Sequence, residues 1–578
     1  MTESTLTEPA QAPTAAAVGA IVLDSAAALL GAPVLLTDNF FAQGGSSLMA
    51  ARLATQLGSG LGGVEVSLDD IFEAPVLGDL AERLRERVAS AAPTAPVPDA
   101  GGNAVPQAGA VGAAGRTASG DLAGERVAGP VLAGQPIPLT YSQERRRERD
   151  ATSTGARIPH HITEVFEVSG ELDADALGLA CHDVVDRHPS LRTLFASDHA
   201  GHHASLGRPD ELDTDRLFRV VAVDSADAAD RVVNEDATRL FQLDREVKLR
   251  VTVLRLPDST MRLVVTVEHL VSDGESFSIL LASLADAYRA RLDGRAPDLG
   301  AAPTGSLSWG ETEHHIHTER LATNLAYWRG NLDPLEALPE MRLPGMHEPT
   351  AHPTTAEQAR EVISSDLVER LREWCAAHGC TLYGGFLSAL ALSSLAHSGR
   401  SVIGVVSPTS VRPAGWDGEV AWFSTSSIFR FRVNSELPTS AVLRSARTSV
   451  LSGMAHAMPL PLLVNELQPG RDTEQLWRPW LYLDVSEHPG GSSLSLAGAR
   501  VSATEADLTP ALRPGVAIGV TVEPAATSVL LQYEAEAWSA QHAQTFVRSL
   551  VSSVELLLSD LPVLECARVL RARHRFHL

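Results

Sequence analysis

Residues 261–277 read MRLVVTVEHLVSDGESF. Leu263, Val265 and Val267 alternate with Val264 and Thr266, the two-residue period of a strand. His269 continues the phase of Val267, and Glu268 takes the opposite one. Their side chains are therefore expected to leave opposite faces of the strand. Asp273-Gly274 then marks a turn, in which Gly274 allows a sharp change of direction. A histidine at a strand end is held rigidly, and its near-neutral pKa suits it to accept or relay a proton. Taken alone, such a histidine is more often a core residue, so its surroundings must decide.

Around this strand, from Pro136 to Leu578, strand-like runs alternate with helix-like ones such as Ser365–His378 and Leu382–His397. The mixture means an α/β or α+β unit. The stretch exceeds the ~250–300 residues that one core sustains. Two lobes are expected, over about 136–305 and 306–578. Upstream, residues 89–135 are mostly Ala, Pro, Gly and Val with no periodicity, which reads as a flexible linker. Residues 17–88 read as a compact, mostly helical unit, and residues 1–16 as a disordered tail.

Within that first unit, residues 38–53 run DNFFAQGGSSLMAARL. Phe40 and Phe41 can anchor a loop, Gly44-Gly45 permits unusual backbone angles, and Ser47 opens an amphipathic helix. Free N–H groups and the positive dipole end there favour a phosphate attached to the hydroxyl. A serine at this place can equally be no more than a helix cap.

The chain has 578 residues with 47 Lys and Arg against 71 Asp and Glu, a net charge of −24. That balance argues against nucleic acid and anionic membranes as partners. Four cysteines make no disulfide scaffold. Cys375, His378 and Cys380 match no zinc spacing and read as ordinary helix residues, so no metal is expected. The N-terminus carries no basic and apolar leader, and no apolar run is long enough to span a bilayer. The expectation is a soluble, cytoplasmic protein.

Residues 17–88, with Asp38–Leu53 and the later SLDDIFEAP at 67–75, resemble a peptidyl carrier (thiolation) domain of nonribosomal peptide synthetases. The resemblance implies a four-helix fold whose GGxSL serine, here Ser47, carries 4′-phosphopantetheine covalently. Residues 136–578 resemble a condensation domain, a two-lobed α/β relative of chloramphenicol acetyltransferase. EHLVSDG matches its HHxxxDG motif; PLTYSQER at 138–145, RHPSLRTLF at 187–195, Tyr327-Trp328 with Leu332, and Ser407–Arg412 with Trp422-Phe423 match its other landmarks. By that resemblance His269 is the functional histidine, and Asp273 is a structural carboxylate paired with an arginine, for which Arg192 is the matching position. Ser276 matches a commonly small residue after the motif, and Glu268 replaces the first histidine, a charge that can raise the pKa of His269.

The order carrier-then-condensation implies transfer of an acyl or aminoacyl group from Ser47 to an amine or alcohol, forming an amide or ester. No adenylation, second carrier or thioesterase signature is present. A trans-acting adenylation enzyme, a phosphopantetheinyl transferase, and an acceptor carrier protein or free small-molecule nucleophile are the partners so implied. Two alternatives share the fold. An epimerisation domain is opposed by the lack of an EGHGR-like stretch before Trp422. A non-catalytic recruitment domain is favoured by Glu268 and opposed by His269 with Asp273-Gly274.

Overall fold

A computed structural model describes residues 15–91 and 134–575, apart from 63, 65, 153–158, 199–200, 209–210, 333–345, 348–355, 414, 471–480, 488–493, 505–515 and 524–525. Most of the tail and linker expected at 1–16 and 89–135 thus lies outside the described residues.

The first unit is four helices: α1 (Ala15–Leu30), α2 (Ser47–Gly60), α3 (Leu68–Glu73) and α4 (Leu77–Ala91). Val18, Val22, Leu53, Leu57, Ile71, Leu80 and Leu84 recur at helical spacing and are buried together. Phe40 and Phe41 fill the centre, and Phe41 lies 4.6 Å from the Phe72 ring. Gly45 has to be glycine, because a Cβ there would lie 2.4 Å from the Phe40 ring. Gly44 sits at φ +95°, a region that disfavours other residues. Ser67 and Asp70 form a reciprocal capping box on α3. Burial alone would raise the Asp70 carboxyl, but hydrogen bonds from Arg87 and Ser67, with the Arg87 charge, hold it at about 2.

The first lobe of the larger unit runs β1 (Pro136–Ile137), α5 (Tyr141–Thr152), β2 (His161–Gly170), α6 (Ala174–Arg187), β3 (Thr193–Asp198), β4 (Gly201–Leu206), β5 (Phe218–Ala222), α7 (Ala226–Thr238), β6 (Leu249–Arg255), β7 (Met261–Glu268) and α8 (Gly274–Leu292). The long α9 (Gly305–Asn331) leads to the second lobe. There follow β8 (Ala356–Ser364), α10 (Ser365–Ala377), α11 (Leu382–Ser398), β9 (Val402–Ser410), β10 (Ser424–Arg432), α12 (Thr439–Ala455), α13 (Leu460–Leu467), β11 (Leu481–Glu487), β12 (Ala499–Thr504), β13 (Val516–Val522), β14 (Ala526–Glu534), α14 (Ala540–Leu557) and α15 (Val563–Arg573).

The second lobe is built on a six-stranded sheet, β10-β9-β11-β13-β14-β8, whose inner pairs β9-β11 and β11-β13 are parallel. Helix α11 is apolar almost all round and lies buried against it, as a helix must when it has no face for water. Helices α10 and α11 together have the length and composition of a bent membrane span, but α11 is core. Among the described residues no single helix is long and apolar enough to cross a membrane.

The first lobe carries a five-stranded sheet, β12-β2-β7-β6-β5. Its edge strand β12 comes from far down the chain and pairs antiparallel with β2, Ala499 opposite Gly170 through Thr504 opposite Val165. The lobes are therefore not parted cleanly near residue 305. A second crossing is the segment between β9 and β10. Its Glu419 carboxylate caps α9, accepting from Gly305 N (2.7 Å) and Ser306 N (3.0 Å). Its Trp416 and Phe423 pack on Trp309 of α9.

Candidate active site and carrier attachment site

At the start of α2 the two adjacent serines take different places. Ser46 is the cap, with extended backbone and its hydroxyl accepting from Met49 N at 3.2 Å. Ser47 is the first helical residue and is not needed as the cap. Beside this loop a cavity of about 600 Å³ opens between Gly44, Ser46 and Met49 on one side and Arg372, Tyr383 and Phe429 of the second lobe on the other. The fourteen-residue helix thus starts beside an open cavity, and the first N–H groups of such a helix favour an attached phosphate.

Strand β7 delivers the other site. The ladder sets Glu268 opposite His161 of β2, and the Glu268 Oε2 lies 3.3 Å from His161 Nε2. Burial would push the Glu268 carboxyl up; the neighbouring His161 ring, then Arg146 and the Leu270 N–H, outweigh it and hold it below the usual range. Lys248, the only lysine, is fully buried nearby and is lowered by burial to about 8, against the pull of Glu268, Glu246 and Asp244. The carboxylate at Glu268 is thus absorbed by a buried charge cluster.

His269 leaves the strand on a different course. Its backbone N–H donates to His160 O at 3.0 Å, and its ring stacks on the His160 ring, 4.3 Å between centroids at 16°. Trp422 closes the group, 4.8 Å from His269 and 5.4 Å from His160. His269 and His160 are both half-buried. Trp422 is held by its indole N–H donating to Ser424 Oγ at 3.0 Å.

Beyond the histidine the motif serves to join the lobes. Asp273 caps α8, accepting from Ser276 N at 2.9 Å, and its other oxygen accepts from Phe423 N at 2.9 Å. Ser276 Oγ accepts from Arg412 Nη2 (2.8 Å) and donates to Ala421 O (2.7 Å). The arginine at Asp273 is Arg412, 3.6 Å away with both side chains nearly fully buried. This corrects the expected partner. Arg192 instead donates to Val185 O at 3.3 Å, tying the end of α6 to the short turn Pro189–Arg192. Gly274 also needs a different account: it is the first residue of α8, and a Cβ there would meet nothing within 4 Å. No special backbone angle requires glycine; the space beside it is open. Among the described residues no cluster of His, Cys, Asp and Glu could hold a metal ion. The Cys375 and Cys380 thiols are pushed up by burial, Cys380 to about 12.

Sequence reasoning missed His160, His161 and the role of Arg412. The first two announce themselves only as a histidine pair before an alternating run. Arg412 lay inside a recognised landmark but 139 residues from Asp273, a separation with no local signal.

Comparison with known proteins agrees with this geometry. A condensation-domain model matches residues 134–564, and a phosphopantetheine attachment-site model matches residues 20–84. The phosphinothricin tripeptide synthetase PhsB of Streptomyces viridochromogenes is 30% identical over 464 residues, 77% of this chain and 35% of that protein. The cyclosporin synthetase of Tolypocladium inflatum is 26% identical over 492 residues, 83% of this chain and 3% of that one. The chain thus spans about a third or less of these relatives. Among solved structures, the X-domain from teicoplanin biosynthesis aligns with a TM-score of 0.64 at 21% identity, covering 75% of this chain and 97% of that one. The first condensation domain of the calcium-dependent antibiotic synthetase aligns at 0.62 and 19%, covering 75% and 99%. The chain belongs to the condensation-domain family of nonribosomal peptide synthetases, with a carrier domain for covalent 4′-phosphopantetheine at its N-terminal side.

Proposed function

We propose that this chain transfers an acyl or aminoacyl group from Ser47 to an amine or alcohol supplied in trans, with His269 as its catalytic residue. The observation that carries the reading is the packing of the His269 ring against both His160 and Trp422, three rings in mutual contact where the two lobes meet. The arm on Ser47 supplies a thioester that tethers the acyl group. Asp273, Arg412 and Ser276 hold the strand end and the Trp422 segment together, which keeps the imidazole in one orientation. The imidazole positions the nucleophile and takes its proton as it adds to the acyl carbonyl; the carbon–sulfur bond of the thioester then breaks, and that proton goes to the departing thiol of the arm. Tethered donor and held acceptor make the step effectively intramolecular. Loading is assigned to a trans-acting adenylation enzyme after a phosphopantetheinyl transferase has modified Ser47.

The test is single-turnover transfer from the loaded carrier to candidate amines and alcohols, followed by intact mass. His269→Ala is expected to lose ~10²–10⁴-fold in rate while Ser47 is loaded normally. Transfer at the wild-type rate would remove His269 from the chemistry. The second reading, recruitment of a partner enzyme without transfer, is favoured by Glu268 in place of the motif's first histidine; it predicts no turnover with any acceptor. Deuterium wash-in at the donor α-carbon would instead indicate epimerisation.

A further inference from the structure

The carrier is seated across both lobes. On the second lobe, Ala376 at the end of α10 is buried within the carrier's own core, and Leu451 and Met454 of α12 pack against it. Asn39 Nδ2 donates to Ala376 O at 3.3 Å, and the Arg447 guanidinium stands 5.5 Å over the Phe72 ring. Gly379, at φ +61°, lets the α10–α11 turn come so close that a Cβ would lie 2.8 Å from Phe72 O. On the first lobe, Arg52 of α2, about one and a half turns after Ser47, forms an ion pair with Glu275 of α8.

Glu275 is not an ordinary surface acid. It directly follows the Asp273-Gly274 pair, and Arg412 Nε lies 3.3 Å from its Oε1. The same guanidinium lies against Asp273, hydrogen-bonds Ser276 and covers the Phe423 ring at 4.2 Å. One unbroken chain of alternating charge therefore runs Arg52–Glu275–Arg412–Asp273, from the carrier into the network that joins the lobes. Arg52 and Glu275 are 29% and 27% exposed, so water reaches the pair and it can open and close.

We propose that Arg52 and Glu275 form the latch that selects the docked position of the carrier, with Glu275 as a positioning residue that ties docking to the Arg412–Asp273 network. The apolar contacts at Ala376 and Phe72 supply adhesion on one lobe. The charge pair supplies registration on the other, since an ion pair is satisfied in far fewer orientations than an apolar contact. The proposal deepens the acyl-transfer reading and rests on it only in taking the docked carrier as the donor.

The experiment reads docking without chemistry. The described cysteines are all buried, so Glu86→Cys on the carrier and Ala282→Cys on α8 take a dye pair in the 578-residue chain bearing its arm. Single-molecule energy transfer then gives the docked-to-undocked ratio. Arg52→Ala and Glu275→Gln are each expected to lower it about two- to fivefold, and the double variant no further than either one. Raising salt from about 0.05 M to about 0.5 M is expected to shrink the difference from wild type. Arg52→Lys should recover part of the ratio, which a purely steric role would not require. Unchanged ratios in both single variants, or a double variant showing the product of the two losses, would overturn the latch. A coupled cycle together with unimpaired transfer in His269→Ala would leave the latch standing and remove the catalytic reading instead.

Discussion

At the scale of single residues, the clearest division of labour is between Ser46 and Ser47. Capping and modification cannot be met well by one hydroxyl, because an N-cap oxygen is already committed to a backbone N–H. Ser46 makes that commitment to Met49, and Ser47, the first helical residue, is the serine proposed for the other role. A phosphopantetheinyl transferase with coenzyme A is therefore expected to add one arm to wild type and to Ser46→Ala, and none to Ser47→Ala, read by intact mass. Ser46→Ala should lower carrier stability by ~1 kcal/mol in a denaturant melt. A mass increase surviving in Ser47→Ala would move the attachment site. The same contrast of neighbours separates Glu268 from His269. The alternation of β7 separates them on paper, but β7 stops at Glu268 and His269 opens a short turn; only the β2 partner shows Glu268 set against His161, away from the His160–Trp422 rings that His269 meets.

At the scale of elements, the segment between β9 and β10 decides how the motif is held. It brings Arg412, Ala421, Trp422 and Phe423 onto the start of α8, and its Glu419 onto the start of α9. The Asp273–Arg412 pair has side chains 5% and 2% exposed, and removing one member of a buried pair leaves the other charge without compensation. Arg412→Ala is expected to cost ~3–5 kcal/mol in chemical unfolding. Arg192→Ala, which loses one long hydrogen bond to a carbonyl, should cost ~1 kcal/mol. Equal losses in the two variants would return Arg192 to the partnership first expected of it. Two helices of the carrier were more transparent, since α2 and α3 are capped from within a few residues, by Ser46 and by Ser67 with Asp70.

At the scale of the whole molecule, stability is tied to pH through a buried acid that no motif announces. Glu313 of α9 accepts from Tyr141 N at 2.8 Å, and burial, with a smaller push from Glu144, raises its carboxyl to about 8 against that hydrogen bond. In the unfolded chain the same group ionises near the ordinary 4.5. The folded state therefore keeps a proton that the unfolded state releases. Its contribution is complete below about pH 4.5 and is lost as pH rises through about 8. Thermal melts are expected to show wild type losing more stability between those limits than Glu313→Gln, which keeps an acceptor for Tyr141 N without a charge. Parallel curves would mean that Glu313 is ionised in the fold.

The sequence by itself determined the division into a helical carrier and an α/β unit, the serine at the start of α2, and the strand that runs up to the motif; that strand ends at Glu268, and His269 opens the short turn after it. These are local matters, written in periods of 3.6 and 2 and in capping residues a few positions apart. Tertiary structure alone decided that Arg412 rather than Arg192 meets Asp273, that His160 and Trp422 pack against His269, that β12 joins the edge of the other lobe's sheet, and that Arg52 reaches Glu275. The physical reason is the same in each case. A buried charge or an open sheet edge must find a partner, but the requirement is satisfied by any group that packing brings within reach, whatever its distance along the chain.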